Sequence, residues 1–128
     1  MALEIPGKVI SIFAATADLS ALQYTFVSLT TLGGITGTTV ITDGRLLGIL
    51  QNTPTSNQAA EVMVDGISKL VVSTTAVVIG DYLGSTAAGR AVTVTSGTTA
   101  WIAARCLQTA LATGYATVQV FPAQHVVI

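Results

Sequence analysis

The run VIGDYLGSTAAGRAVTV, Val78–Val94, decides how the rest of the chain is read. Val78 and Ile79 are apolar, Gly80-Asp81 interrupts them, and Tyr82-Leu83 resumes the apolar run. A loop of small residues, GSTAAG, then leads into the alternating segment RAVTV. Gly supplies backbone angles closed to other residues and Asp bonds nearby backbone N–H groups, so both interruptions read as turns between short strands. The segment is rich in turns and nearly bare of reactive groups.

The same grammar extends in both directions. QYTFVSLT places Tyr24 and Phe26 in alternation with Thr25 and Val27, a strand signal. TLGGITG reads as a Gly-rich turn, TTVIT as a short strand, Asp43-Gly44 as a tight hairpin dipeptide and RLLGIL as the returning strand. QNTPTSNQ, Gln51 to Gln58, is a polar loop with Pro54 at its centre. In AAEVMVDG, Val62 and Val64 share one strand face, with Glu61, Met63 and Asp65 on the other, and Gly66 resets the phase for ISKLVVS. AWIAARCLQTA carries helix-favouring residues, but its setting between turns favours a strand over Ile102–Leu107. ATVQVF forms a last strand ended by Pro122, followed by the apolar tail AQHVVI with His125. Asp18 is placed to cap a short helical turn through Leu22. Strands recurring every ~8–12 residues predict an all-β fold, a small single-domain β-barrel or sandwich.

At 128 residues the chain is one domain by length. Leu3, Ile5, Val9, Ile10, Ile12 and Phe13 surround a Pro6-Gly7 break, which predicts an extended N-terminal arm, 1–16, ahead of a β-rich domain, 17–128. The start imitates a signal peptide, but Glu4, Pro6-Gly7 and a single Lys argue against a cleaved one. The long uncharged stretch 19–42 holds too much Thr, Ser, Gln and Gly for a membrane helix.

Only 9% of residues are charged, against ~25% in ordinary soluble domains, while 51% are hydrophobic and only 5% aromatic. Such a chain must cover much of its exterior or wet it with Thr, Ser and Gly, which predicts life in an oligomer or on a partner. Lys8, Arg45, Lys69, Arg90 and Arg105 are scattered singly, so a nucleic-acid partner is not expected.

The chemistry of the residues predicts no enzyme, no cofactor and no small-molecule substrate. One His and one Cys make no zinc site. Cys106, in an apolar run, reads as a small buried hydrophobe. Asp18, Asp43 and Asp81 occupy cap or turn positions. Glu61 and Asp65 stand roughly 13 Å apart along a strand, too far for a retaining glycosidase pair and wide for an inverting one. GGITG lacks the strand-then-helix setting of a dinucleotide loop, and no Ser lies in a G-x-S-x-G elbow. Trp101 reads equally as interface anchor or core.

Three stretches taken together resemble the capsid decoration, or cement, proteins of tailed bacteriophages. In ADLSALQYTFV the match falls on Asp18, Leu19, Ser20, Ala21, Gln23, Tyr24, Phe26 and Val27. In GILQNTP and the strand after it the matched positions are Gly48, Leu50, Gln51, Asn52, Pro54, Gly66 and Lys69. In GDYLGSTAAGRAV they are Gly80, Asp81, Leu83, Gly89, Arg90 and Val92. Order and spacing carry the likeness, since each motif alone is turn-and-strand chemistry. The resemblance implies a β domain, usually trimeric, docked on the outer surface of the phage head, bridging subunits of the major capsid protein and without enzymatic activity. It implies synthesis in the host cytoplasm and residence on the virion. Asp18, Gln51, Asn52, Pro54, Gly66, Gly80, Asp81 and Gly89 would then be turn and scaffold positions. The apolar arm lies outside the matched region; from its character we expect Leu3, Ile5, Ile10, Ile12 and Phe13 to contact the coat by strand addition or insertion into a groove. Alternatives are another phage β module, of tail or fibre, and a secreted adhesin or carbohydrate-binding domain.

Overall fold

A computed structural model describes residues 5–31, 33–37, 45–95 and 99–127. All regular structure among them is strand: Ile5–Ala14 (β1), Phe26–Leu29 (β2), Ile35–Thr36 (β3), Leu46–Leu50 (β4), Ala59–Val71 (β5), Tyr82–Ser85 (β6), Ala91–Thr93 (β7), Thr99–Gln108 (β8) and Tyr115–Val127 (β9). The fold is all-β, a curled antiparallel sheet forming a half-barrel.

The sheet runs β3-β2-β4-β5-β9-β8-β6-β7, with β1 also paired to β5. Ile67 of β5 pairs with Ile5 of β1 and with Gln119 of β9, so β1 and β9 lie along opposite edges of β5. Both margins of the sheet are tied back. A parallel bridge joins Ala15, just past β1, to Ile35 of β3, and another joins Val72, just past β5, to Ala91 of β7. The long strand β5 is thus common to two curled lobes.

Packing explains the double curl. Phe26, Ile49 and Met63 are cross-strand neighbours on β2, β4 and β5 and belong to the larger apolar cluster, with Leu70, Leu83, Val118 and Val120. The very next positions, Val27, Leu50 and Val62, belong to a second cluster with Ala15, Leu19 and Ile35. Successive strand side chains point to opposite faces, so this part of the sheet is covered on both. The expected phase of AAEVMVDG holds for Val62 against Met63, but Met63 is as buried as Val62. The face that carries Glu61 and Asp65 thus also carries a core residue.

The N-terminal segment is extended, as expected, and it is laid in the sheet rather than projecting as a separate arm. β1 pairs with β5 from Ile5↔Ile67 to Ala14↔Ala59, and Ile10 and Phe13 pack against the second cluster. An unpaired edge of β5 would leave a row of backbone donors and acceptors open, and β1 covers it. The boundary expected between residues 16 and 17 therefore divides one sheet.

Pro122 does not end the last strand, which continues to Val127. Pairing jumps from Ala104↔Val120 to Ile102↔Gln124, so Pro122 sits in a bulge where the N–H it lacks is not needed by the ladder. The segment AWIAARCLQTA is strand over Thr99–Gln108, as its setting predicts. Asp18–Leu22 forms a single turn, closed by Leu22 N–H to the Leu19 carbonyl at 2.9 Å, and not a helix. The predicted TTVIT strand and Asp43-Gly44 hairpin lie outside the described residues apart from Gly37 beside them.

Candidate functional site

The turn positions singled out from sequence tie the backbone at several separate places. Gly89, at φ +78°, offers its carbonyl to the Phe26 N–H at 2.7 Å and thereby fastens the β6–β7 loop to β2. Gln23 Nε2 donates to the Gln51 carbonyl at 2.8 Å, and Gln51 Nε2 donates to Ser68 Oγ at 3.0 Å. Asn52 acts as a substitute peptide group. Its Nδ2 donates to the Ala59 carbonyl and its Oδ1 accepts from the Glu61 N–H, both at 3.0 Å. Pro54 is buried, and its carbonyl accepts from the Leu19 N–H at 2.9 Å.

Asp18 Oδ1 accepts from the Ser20 N–H at 3.0 Å. Hydrogen bonds from Ser20 hold the exposed Asp18 carboxyl below its ordinary pKa, since they favour the charged form. Asp81 closes its own turn: Oδ2 accepts from the Val78 N–H and from Thr93 Oγ1, both at 3.0 Å, while Gly80 takes φ +91°.

Of the residues expected to touch a coat subunit, Ile10 and Phe13 are half-buried in their own domain, and Ile5 and Ile12 belong to β1. Leu3 lies outside the described residues. The structure shows a different apolar surface. Val78, Ile79 and Leu111 are 55, 65 and 79% exposed. Their loops are joined: Val77 bridges Ala110, and the Ile79 N–H donates to Thr109 Oγ1 at 3.2 Å. One sequence signal for this tip was present, two β-branched residues placed directly before a Gly-Asp turn where no sheet could cover them. Trp101 is partly buried against the larger cluster.

A second surface feature is a cleft of about 320 Å³, whose lining includes Leu22, Gln23, Thr25, Val71, Arg90 and Tyr115. Beside it the Tyr24 and Tyr115 rings meet edge to face, centroids 6.1 Å apart, and Lys69 Nζ lies 5.4 Å from the Tyr24 ring centroid. Tyr24 is held at φ +64°, its N–H bonded to the Leu50 carbonyl and its carbonyl accepting from Val71.

Cys106 is buried, with Sγ 3.2 Å from the Gln108 carbonyl, and burial pushes its thiol pKa up. A thiol held protonated is a poor nucleophile. No group of three or more His, Cys, Asp or Glu placed to hold a metal ion occurs among the described residues. No helix there is long and apolar enough to cross a membrane. Compared with known proteins, the chain matches no family model and no curated protein.

Proposed function

We propose that the protein is a structural component of a phage virion, a decoration protein that binds the outside of the assembled head and stabilises it by bridging coat subunits. The observation that carries this reading is the apolar tip Val78–Ile79–Leu111, exposed on a domain with very few charges. Exposed apolar side chains grouped on two joined loops support a surface that meets a partner. The sequence resemblance supplies the kind of partner, a major capsid protein, and the expectation of a homotrimer.

The physical mechanism is linkage. A protein that binds the mature lattice but not free coat shifts the equilibrium toward the intact shell at every occupied site. Three copies about a three-fold axis act together, and linked contacts gain roughly 10²–10⁴ over one alone. With Ile5–Ala14 built into the sheet as β1, this stretch would meet the coat as part of the domain surface.

The test is sedimentation of the purified chain with expanded, DNA-free heads of the phage that encodes it. Saturable co-migration and greater resistance of the heads to heat are expected. Failure to co-migrate at micromolar concentration overturns the reading. Analytical ultracentrifugation of the free chain tests the trimer separately.

A further inference from the structure

We infer that the cleft between the Gln23 turn and the Arg90 loop is a receptor for a carboxylate side chain, an Asp or Glu presented by a protein segment. Four stretches far apart in sequence build it, around residues 21–25, 71, 88–90 and 113–115, and Gly89 fastens the Arg90 loop beside the first of them by its bond to Phe26. Its volume, about 320 Å³, suits one side chain and its flanking backbone.

The polar inventory selects the ligand class. Gln23 Nε2 is committed to the Gln51 carbonyl, Thr25 Oγ1 to the Leu22 carbonyl at 2.7 Å, and Thr113 Oγ1 to the Ala112 carbonyl at 2.6 Å. Arg90 is exposed, and no hydrogen bond or ion pair engages its guanidinium among the described residues. Among the described residues no carboxylate lines the cleft. A guanidinium fork unmatched by an acid takes a carboxylate bidentately, while Leu22 and Val71 supply an apolar wall for the methylene stem.

The identification of the segment as coat protein rests on the decoration reading; the carboxylate chemistry does not. The experiment has two parts. In the first, ¹⁵N-labelled protein is titrated with N-acetyl-glutamate amide, N-acetyl-glutamine amide and glucuronate. Saturable shifts confined to residues around Gln23, Arg90 and Tyr115, seen with the glutamate probe and absent with the glutamine probe, are expected. Equal response to both amides, a stronger response to glucuronate, or no shift in the cleft overturns the proposal.

In the second part, Arg90→Gln, Arg90→Lys and the control Arg105→Gln are compared for binding to expanded heads. Arg105 is exposed on β8 and does not line the cleft. Losing a charge-assisted pair weakens binding by about tenfold or more, so R90Q should fall at least that far, R90K less, and R105Q should match the parent. Unchanged melting temperatures show that the variants are folded. If the parent binds heads and R90Q binds equally well, the cleft proposal fails alone. If the parent does not bind heads, the decoration reading fails, and the glutamate titration still decides the cleft.

Discussion

Gly7 and Gly66 face each other across the β1–β5 ladder with no space for a side chain on either. A Cβ on Gly7 would lie 2.6 Å from the Gly66 Cα, and a Cβ on Gly66 would lie 2.9 Å from the Gly7 Cα. Gly66 is also held at φ +135°, where other residues are strained. The pairing register slips at this point, between Ile5↔Ile67 and Lys8↔Asp65, so the two glycines let β1 bulge closely over β5 just where β5 leaves β4 for β9.

From this contact we predict that Gly66→Ala and Gly7→Ala each destabilise the fold by about 1–3 kcal/mol, the usual cost of forcing atoms into a packed site. Urea unfolding measures it as a lower midpoint. A change of no more than a few tenths for both would mean that β1 is not seated on β5 as described.

The two-sided core gives a second prediction. Val62→Ala and Met63→Ala, neighbours in sequence, should both be costly, because they empty different clusters. Met→Ala in a core costs about 2–5 kcal/mol. Glu61→Ala, at an exposed position, should stay within ~0.5 kcal/mol of the parent. A one-sided sheet would instead make Met63→Ala as mild as Glu61→Ala.

What was readable in the sequence follows from the range of the forces involved. The turns at Gly80-Asp81 and Gly89-Arg90 were legible because positive φ and Asp-to-backbone bonding are decided within four residues. The double burial of Phe26 and Val27 was not, since two adjacent apolar residues look alike whether a sheet is covered once or twice. β1 read as an arm because Pro6-Gly7 interrupts its alternation; only Gly66, some sixty residues on, makes that interruption a fitted bulge. Pro122 misled for a similar reason, because the bulge in β9 that tolerates it is defined only by the pairing with β8. The Arg90 cleft is assembled from four stretches distant in sequence, so it leaves no local pattern. The apolar tip at Val78–Ile79 had a local signal, but its continuation to Leu111 depends on the Val77↔Ala110 bridge.

Asn52 offers a third prediction. Its amide supplies both a donor and an acceptor where the loop from Gln51 to Gln58 meets β5, at the Ala59 carbonyl and the Glu61 N–H. Asn52→Ala removes both bonds, each worth about 0.5–1.5 kcal/mol net. Hydrogen exchange should quicken at the Glu61 amide more than at Leu70. Equal quickening at both would mean a global loss of stability rather than a loosened loop.

Asp18 and Ser20 make a prediction on the acid side. The Asp18 carboxyl is held below its ordinary value of 3.8 by bonding to Ser20. A group with its folded pKa depressed adds stability that is present above the unfolded pKa and lost as pH falls through the folded one. Carboxyl NMR titration should place the Asp18 midpoint below 3.8, and Ser20→Ala should move it upward. Because Asp18 is fully exposed, the effect is read from the titration itself. A midpoint unmoved by Ser20→Ala would remove Ser20's hydroxyl as a cause and leave the backbone bond.

Cys106 makes the opposite prediction on the alkaline side. Burial raises its thiol above the ordinary value of 9.0, with the Asp81 charge acting the same way. The folded state therefore holds the proton more tightly than the unfolded chain. That stabilisation is fully present below the unfolded pKa and is lost as pH rises through the folded one. The urea midpoint should accordingly fall above about pH 9, the unperturbed thiol range, and Cys106→Ala should flatten this part of the fall. At neutral pH the native thiol should react with a disulfide reagent far more slowly than in urea, because attack requires both exposure and the thiolate. Prompt labelling of the native protein would mean that the packing around Cys106, between β8 and β9 and beneath the turn that carries Val78 and Ile79, opens readily, and the rigid presentation of that apolar turn would have to be abandoned.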